Sequence, residues 1–279
     1  MKHLGQHFLK NRSVAKKIVA ALELAPGDTV IEIGPGHGEL TEVVERESWS
    51  VNRGIKIIGV EKDHELAAQL RKKFAEDKNI EIIEGDAIRI LPELCSAFHA
   101  SRSTIQDSRF TLHASRFKIV GNIPYYITGH LLRTIGELEV RPVLCVLMVQ
   151  EEVAERIAAT PPRMNRLAAS VQFWAEPTII LRVPRSDFAP PPDVDSAVVK
   201  LETWSVQRET PEKEYYKAVK VLFQQPRKTV LNNLVAGSEA NKNSLSEKLL
   251  EIGIPPENRP QDLSVEDIEK IAKLLVVSL

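Results

Sequence analysis

Short runs of β-branched and other apolar residues alternate with amphipathic stretches along the first two-thirds of the chain. The stretches between the runs, such as GELTEVVERE and DHELAAQLRKKFAED, place apolar residues at helical spacing. This alternation is typical of an α/β fold, in which helices cover both faces of a parallel sheet. The runs predict strands at 29–34, 55–61, 80–86, 117–122 and 143–150.

The pattern changes after Trp204. Two more strand-like runs, PTIILRVP and SAVVKLETW, precede it and are joined by the proline-rich SDFAPPPDVD. Beyond it, segments of helical spacing are separated by Pro, Gly and Asn, which predicts helices at 212–224, 227–236, 244–252 and 264–277. We therefore expect an α/β domain over residues 1–205 and a small all-helical domain over 206–279. Residues 96–116 show no clear period, and we interpret them as a surface excursion.

Composition limits the class of protein. With 279 residues, 43% of them hydrophobic, the chain can form one sizeable core and a smaller one. Its apolar runs are too short to span a bilayer, so we expect no membrane association. Cys95 and Cys145 suggest neither a disulfide framework nor a metal cluster, and the histidines lack metal-ligand spacing. Cys145, within VLCVLMV, is expected to be buried in a strand of a cytoplasmic, metal-free protein.

Charge confines any nucleic-acid surface to a local patch, because the formal net charge is only −1. Basic residues cluster at three places, each of which is also compatible with an ordinary solvated face. The clusters are Lys2 to Lys17; Arg102, Arg109, Arg116 and Lys118; and Arg227 with Lys228.

Candidate chemistry stands at the ends of the predicted strands, where doubly wound sheets bind their ligands. The first strand ends in EIGPGHGELT, and its glycines at 34, 36 and 38 allow a tight turn and a close approach of the backbone to a ligand. Glu39 occupies the position of the third glycine in the dinucleotide fingerprint G-x-G-x-x-G. The loop therefore disfavours NAD as the ligand.

Two acids follow on the next strands. Glu61 ends the second strand and could accept the hydroxyl protons of a ribose, although an acid before a helix is also ordinary. Asp86 follows Gly85 after the third strand and could accept a hydrogen bond from an adenine amine, although Asp also forms turns.

The fourth strand ends in Asn122, Ile123, Pro124 and Tyr125. A core would not select this group for packing, because a buried Asn amide needs several hydrogen-bond partners. The corner is therefore a candidate site.

The order of glycine loop, ribose acid, adenine acid and N-I-P-Y resembles the S-adenosylmethionine-dependent amino-methyltransferases, whose sheet is the Rossmann-like class I sheet. Further motifs resemble the ribosomal RNA adenine N6,N6-dimethyltransferases of the KsgA type, which act on 16S RNA of the small subunit. They are GQHFL, GNIPYYIT, MVQEEVAERI, FAPPPDVDSAVV and FQQPRKTVLNNL.

That resemblance implies a cofactor site and a lid. The N-terminal segment, which is also compatible with a transit peptide, would cover S-adenosylmethionine. Many relatives carry Asn where His7 stands, and either side chain could reach the methionine end of the cofactor. The implied cofactor residues are Gln6, His7, Leu9, Gly34, Gly36, Glu61, Asp86 and Asn122.

For the target adenine we expect the Asn122 side-chain oxygen and the Ile123 carbonyl to accept the two amine protons. Pro124 would hold that carbonyl outward, because it lacks an N–H and its φ is fixed. Tyr125 would stack on the base. The resemblance places Phe188 on the opposite face, with a core anchor as the alternative.

The expected partner is ribosomal RNA, within a small subunit or its precursor, contacted by a monomeric enzyme. Arg227, Lys228 and the N-terminal lysines would bind phosphates. Three other interpretations remain. The first is a large-subunit (23S) RNA dimethyltransferase of the macrolide-resistance type, which shares the catalytic motifs. The second, a DNA adenine methyltransferase, is less favoured because no sequence-reading domain is evident. The third is a non-catalytic RNA-binding, transcription or assembly factor.

Overall fold

The structure is a computed structural model and describes residues 6–50, 54–100, 117–204, 208–237 and 241–278. The strands are β1 Phe8–Leu9, β2 Thr29–Ile33, β3 Lys56–Glu61, β4 Ile80–Glu84, β5 Phe117–Asn122, β6 Leu144–Gln150, β7 Ala175–Val183, β8 Phe188–Ala189 and β9 Ser196–Thr203. The helices are α1 Arg12–Ala20, α2 Glu39–Ser50, α3 His64–Lys73, α4 Ala87–Ala100, α5 Thr128–Gly136, α6 Glu151–Ile157, α7 Arg166–Gln172, α8 Glu212–Leu222, α9 Val230–Ala236, α10 Lys242–Glu251 and α11 Val265–Ser278.

The main sheet has the strand order β4-β3-β2-β5-β6-β9-β7. The five neighbouring strands β4, β3, β2, β5 and β6 pair in parallel, and β9 pairs antiparallel with β6. All five residues of β2 are buried, as expected for a strand that helices cover on both sides. The predicted α/β class with a parallel sheet is confirmed. Of the unassigned residues 96–116, those up to Ala100 complete α4, and 101–116 lie outside the described residues.

The strand order reverses beside β2. The chain proceeds from β2 outward to β3 and β4, and then returns to the other side of β2 as β5. The ends of the three central strands are level, because Ile33 is paired with Val60 on one side and Gly121 on the other. Loops that leave adjacent parallel strands in opposite directions open a crevice between them, which is the binding place in such sheets.

The core beside this crevice is aliphatic. Residues of α1, including Ile18 and Val19, pack with Val30, Ile57 and Val120 of the sheet. Asn11 precedes helix α1, and its side chain caps the helix by accepting the N–H groups of Ser13 and Val14.

The two cysteines are buried and free, as predicted for Cys145. Burial raises the pKa of Cys95 to about 12 and the pKa of Cys145 well above its ordinary value. Neither is therefore a nucleophile at neutral pH. Within the described ranges, no helix combines the length and the apolar character needed to cross a membrane.

The chain divides into two compact units, whose bounds differ from those of the predicted domains. One unit contains residues 1–154 and 176–203, and the other contains 155–175 and 204–279. The predicted boundary near 205 lies beside Trp204, where the chain enters the second unit for the second time. Residues 155–175, which the prediction places in the α/β domain, belong to the second unit. Ala168, Ala169 and Phe173 of this segment pack into the apolar core of the helical unit. Helical spacing reveals an apolar face, but not which core buries it.

The helical unit is built around α8. Its Tyr215 is fully buried, stacks on the Phe173 ring at a centroid distance of 4.0 Å, and donates its hydroxyl to the Ala169 carbonyl. The next helix, predicted from 227, starts later at Val230. Thr229 caps it by accepting the N–H of Asn232, and residues 224–228 before it form an exposed turn instead.

Candidate functional site

The carboxyl ends of β2, β3, β4 and β5 open into one cleft of about 840 Å³, a volume that includes its open mouth. Such a volume suits a small-molecule site. The cleft brings together most of the predicted site residues, namely Gln6, His7, Gly34, Gly36, Glu61, Asp86, Asn122, Ile123, Pro124 and Tyr125. Leu9 and Phe188 are not among the residues that line it.

The glycine loop gives the cleft an accessible backbone. Gly34 and Gly36 both have a φ of +63°, a conformation that side chains other than glycine adopt with strain. A Cβ added at Gly36 would lie 3.0 Å from ring carbons of Phe8, so the loop and the N-terminal segment fit closely there. At Gly34 a Cβ would meet open space, because the backbone faces the cleft directly.

Glu61 is 3% exposed, and backbone groups hold it in place. Its Oε2 accepts the N–H of Gly36 at 3.0 Å, and its Oε1 accepts the N–H of Asp63 at 2.9 Å. Burial raises the pKa of this carboxyl, while the two N–H donors act in the opposite direction. Each carboxylate oxygen can accept more than one hydrogen bond, so a diol such as a ribose can still be bound.

Asp86 is paired with Lys62, a residue that was not predicted from the sequence. Its Oδ2 lies 2.9 Å from the Lys62 ammonium, and its Oδ1 accepts the N–H of Ile88 at 3.0 Å. The hydrogen bond from Lys62 is the main cause that lowers the pKa of Asp86. Lys62 also lines the cleft, and its position directly after Glu61 was the available signal.

The corner at the end of β5 orients its amide through a distant contact. Asn122 Nδ2 donates to the main-chain carbonyl of His7 at 2.7 Å. Because a carbonyl only accepts, the nitrogen must face His7, and the side-chain oxygen Oδ1 is left as an acceptor. Ile123 is anchored by its buried side chain and by its N–H bond to Met148, so it can offer only main chain to the cleft.

Two tyrosines follow on a single 3-10 turn, Tyr125–Ile127. Burial raises the pKa of Tyr125, whose hydroxyl shares a 3.1 Å hydrogen bond with Ser196. Its ring lies at 28° to the His7 ring, with a centroid distance of 6.1 Å. Tyr126 also lines the cleft and is 62% exposed. Tyr126 was not predicted as a site residue, although the doubled tyrosine is visible in the corner motif.

The N-terminal segment is fastened to the loop that contains Phe188. Strand β1 pairs with β8, and His7 Nδ1 donates to the Pro190 carbonyl at 2.9 Å. Lys10 donates its N–H to the Asp187 carbonyl at 2.8 Å. The segment contributes Gln6, His7 and Phe8 to the lining of the cleft. Its position is compatible with the expected lid over the cofactor.

The same pairing sets the direction of the Leu9 and Phe188 side chains in this structure. Residues directly opposite in an antiparallel pair point to the same side, and here Leu9 is opposite Phe188 while Phe8 is opposite Ala189. Leu9 and Phe188 both lie in the apolar core, with Phe188 only 1% exposed. The alternative that Phe188 is a core anchor therefore describes its position in this structure.

The basic residues are separated into different environments. Arg227 and Lys228 lie in the helical unit, in the exposed turn between α8 and α9. Lys118 is buried instead of belonging to a basic surface, because its ammonium pairs with Asp28 at 2.6 Å and donates to the Glu23 carbonyl. Arg102, Arg109 and Arg116 lie outside the described residues. Among the residues that the structure describes, no group of His, Cys, Asp and Glu could hold a metal ion.

The strand order, the glycine loop and the carboxylate that follows the neighbouring strand define a class I methyltransferase fold. The model of the ribosomal RNA adenine dimethylase family matches residues 1–276. The chain belongs to this family, and its enzymes use S-adenosylmethionine as the methyl donor.

Individual relatives agree with this assignment. A protein of Dehalococcoides mccartyi named ribosomal RNA small subunit methyltransferase A is 37% identical over 268 residues, 95% of this chain and 85% of the relative. A protein of the same name from Pelotomaculum thermopropionicum is 36% identical and covers 97% of this chain and 90% of its own.

Among solved structures, a dimethyladenosine transferase from Plasmodium falciparum has a TM-score of 0.74 at 26% identity, with 98% of each chain covered. The 23S rRNA methyltransferase ErmE has a TM-score of 0.69 at 23% identity, with 96% of this chain and 99% of its own covered, which shows a shared fold.

Proposed function

We propose that this protein dimethylates N6 of adenosines in small-subunit (16S) ribosomal RNA and that the corner Asn122–Tyr125 performs the transfer. The observation that carries the catalytic part is the bond from Asn122 Nδ2 to the His7 carbonyl. It leaves the amide oxygen as an acceptor in the cleft that also contains the glycine loop and Glu61. The relatives named small subunit methyltransferase A support the choice of RNA.

The residues of the cleft fit S-adenosylmethionine. The backbone at Gly34 faces open space, and a buried carboxylate at Glu61 can accept the ribose hydroxyls. Asp86 can accept a hydrogen bond from the adenine amine of the cofactor. When bound, the cofactor supplies an electrophilic methyl group on a sulfonium.

The target amine is a poor nucleophile because its lone pair is delocalised into the purine ring. Asn122 Oδ1 and the Ile123 carbonyl each accept a hydrogen bond from one N6–H. These two bonds favour a pyramidal nitrogen, whose lone pair is directed at the methyl carbon. Transfer would replace a C–S bond of the bound cofactor with an N–C bond, the electron pair would remain on sulfur, and the cationic amine would then release a proton. Alignment of this kind contributes about 7–11 kcal/mol in well-oriented reactions.

The second transfer makes a different demand on the corner. A monomethylated amine has one proton, so only one of the two acceptors can keep its hydrogen bond. The base must also be unpaired or turned out of its stack before either transfer. Tyr125 supplies a face on which it can stack.

We place RNA phosphates on Arg227 and Lys228. Three exposed lysines on α8, Lys213, Lys217 and Lys220, follow the i, i+4, i+7 spacing of one helix face. Like charges at this spacing destabilise a helix, and a polyanion bound along that face would relieve the repulsion. Replacing Arg227 and Lys228 with Gln should weaken binding and reduce the salt slope by about one unit per contact.

The test of the function is a methylation assay with tritiated S-adenosylmethionine and undimethylated subunits of both sizes. We expect label in the small subunit and N6,N6-dimethyladenosine among its digested nucleosides. Label in the large subunit alone would support the 23S alternative. No label in either subunit, with RNA binding retained, would support a non-catalytic assembly factor. Sedimentation would test the proposal that the protein is a monomer, and cell fractionation would test the proposal that it is cytoplasmic.

A further inference from the structure

The 3-10 turn Tyr125–Ile127 presents its two tyrosines in different directions. Such a helix has three residues per turn, so neighbouring side chains diverge by about 120°. Tyr125 is partly buried and shares its hydroxyl with Ser196, whereas Tyr126 lines the cleft but is 62% exposed. The proposed transfer uses Tyr125 alone, and the exposed ring beside it has no role in that reaction.

The Tyr126 ring stands on a fixed backbone. The N–H of Ile127 donates to the Pro124 carbonyl at 3.1 Å, and Thr128, the first residue of α5, donates its N–H to the Tyr125 carbonyl. A tyrosine side chain has only two torsions, so a ring on such a backbone contacts a ligand at a low cost in conformational entropy.

Two cations lie near Tyr126. Lys62 lines the cleft, is half-exposed and holds its ammonium 2.9 Å from Asp86. The pKa of Lys62 is raised chiefly by that hydrogen bond, and Tyr126 and Arg89 are close enough to contribute in opposite directions. Arg89 is exposed on the first turn of α4, where its N–H donates to the Asp86 carbonyl at 2.9 Å. We call Lys62, Arg89 and Tyr126 the rim.

The opposite side of the corner carries charge of the other sign. Lys62 and Asp86 follow β3 and β4 on one side of β5, whereas Asp193 and Asp195 precede β9 on the other. Both of these acids are exposed, and Arg185, which donates its N–H to Asp195, offsets only one of the two charges. A phosphodiester chain carries one negative charge per nucleotide, so the rim is the more favourable side for it.

A nucleotide whose base enters the cleft leaves its neighbours at the mouth. Turning the base out breaks its stacking on the flanking bases. Proteins compensate such a loss with exposed aromatic rings for the bases and cations for the backbone. Tyr126 directly follows the residue on which the target stacks, and the Lys62 ammonium has three N–H donors, so it can bind a phosphate while it is paired with Asp86.

We infer that the rim binds the nucleotide next to the target adenosine, with its base stacked on Tyr126 and its phosphate bound by Lys62 and Arg89. This inference rests on the proposed function and deepens it. The rim holds the substrate without contacting the reacting amine, and it sets the direction in which the RNA leaves the cleft.

The test compares Tyr126→Leu, which keeps an apolar side chain without an aromatic face, with Tyr126→Phe, which keeps the ring. The readouts are kcat/KM for undimethylated small subunits at saturating S-adenosylmethionine, and the affinity for S-adenosylhomocysteine by calorimetry. Thermal melting monitors the fold. We expect Tyr126→Leu to lower kcat/KM about tenfold, within the range for one stacked base, and Tyr126→Phe to stay within about threefold. Affinity for S-adenosylhomocysteine should remain unchanged in both.

Arg89→Gln tests the phosphate contact without disturbing the bond between Lys62 and Asp86. The slope of log kcat/KM against log salt concentration should become shallower by about one unit. Lys78→Gln, at an exposed lysine of the same unit that does not line the cleft, is the control and should keep the wild-type slope. An equal change in both variants would refute the phosphate contact.

A photoreactive p-benzoylphenylalanine at position 126 would identify the bound nucleotide. Primer extension should map its cross-link to a nucleotide adjacent to the methylated adenosine. A cross-link elsewhere would overturn the inference, as would wild-type kcat/KM in Tyr126→Leu, an equal loss in Tyr126→Leu and Tyr126→Phe, or a loss of S-adenosylhomocysteine affinity in Tyr126→Leu. Failure of the wild type to methylate either subunit would instead refute the proposed function itself.

Discussion

The two halves of the cleft are held by contacts of different range. On the side of β2, β3 and β4, Glu61 binds the N–H of Asp63 and Asp86 binds the N–H of Ile88, each two residues along the chain. At the end of β5, Asn122 binds a carbonyl 115 residues away, and Tyr125 shares a hydrogen bond with Ser196 at a separation of 71. The cofactor half combines these local turns with bonds of medium range, from the Gly36 N–H to Glu61 and from Lys62 to Asp86, at separations of 25 and 24 residues. The base corner depends on much more distant segments, which only the fold brings together.

This difference suggests that the halves can fail independently. Changes in the cofactor half should affect the affinity for S-adenosylmethionine, whereas changes in the base corner should affect turnover. The same cleft would then show two separable phenotypes.

The largest effect is expected for Asn122→Ala. Loss of one amine acceptor should reduce turnover by about 100-fold or more, by analogy with the removal of one preorganised hydrogen-bonding group in other active sites. Affinity for S-adenosylhomocysteine, measured by calorimetry, should stay within about threefold, less than 1 kcal/mol.

Asn79→Ala serves as the matched control, because Asn79 is an exposed asparagine of the same unit that does not line the cleft. Turnover close to wild type in Asn122→Ala would contradict the mechanism.

A buried acid in β2, on the side of the cofactor half, should make the stability of the protein depend on pH. Burial raises the pKa of Glu32 from 4.5 to about 7, against the opposing hydrogen bond from Thr41 at 2.6 Å; Glu39 and Glu61 add to the rise. Because the folded state binds this proton more tightly than the unfolded state, stability is lost as pH rises from about 4.5 to about 7. At 1.36 kcal/mol per pKa unit the loss is about 3 kcal/mol.

Glu32→Gln can still accept the Thr41 hydroxyl and should remove this dependence. Chemical denaturation at pH 5 and pH 8 would measure it, as the free energy of unfolding of the variant relative to the wild type. A constant difference between the two proteins at both pH values would contradict the assignment.

Glu61→Gln should weaken cofactor binding by about tenfold to 150-fold, since hydrogen bonds to a charged group contribute about 1.5–3 kcal/mol. Turnover at saturating cofactor should change far less. Equilibrium binding and single-turnover rates would separate the two quantities. Glu65→Gln, at an exposed position on α3, controls for the loss of one negative charge.

The smallest effect is expected for Lys62→Met. The ion pair with Asp86 is partly exposed, and such pairs contribute about 0–1 kcal/mol, so cofactor affinity should fall by at most about fivefold. The difference from wild type should shrink as salt is raised. Lys72→Met, at an exposed lysine of α3, is the control, and an equal loss in both variants would refute a specific role for Lys62.

Most of the cofactor half could be predicted from the sequence. The glycine loop, Glu61 and Asp86 follow directly after strands whose apolar runs are continuous, and parallel strands bring their carboxyl ends to one edge. The corner Asn122–Tyr125 was predicted for the same reason. Two cleft residues were not predicted, Lys62 and Tyr126. They directly follow Glu61 and Tyr125, which were.

The sequence could not decide the direction of a residue where that direction depends on a distant partner. Leu9 and Phe188 point into the core because β1 pairs with β8 across the chain, and the register of that pair decides their side. Lys118 carries a charge typical of a surface but is buried against Asp28. Residues 155–175 have an apolar face that either unit could have buried.

The sequence by itself determined the class of fold, the position of the cleft at the strand ends and the chemical groups available there, because hydrophobic period and turn chemistry are local properties. The tertiary structure decided how those groups are oriented. Only the folded chain brings the His7 carbonyl to the Asn122 amide and the His7 ring to Tyr125, since both contacts join segments more than 100 residues apart.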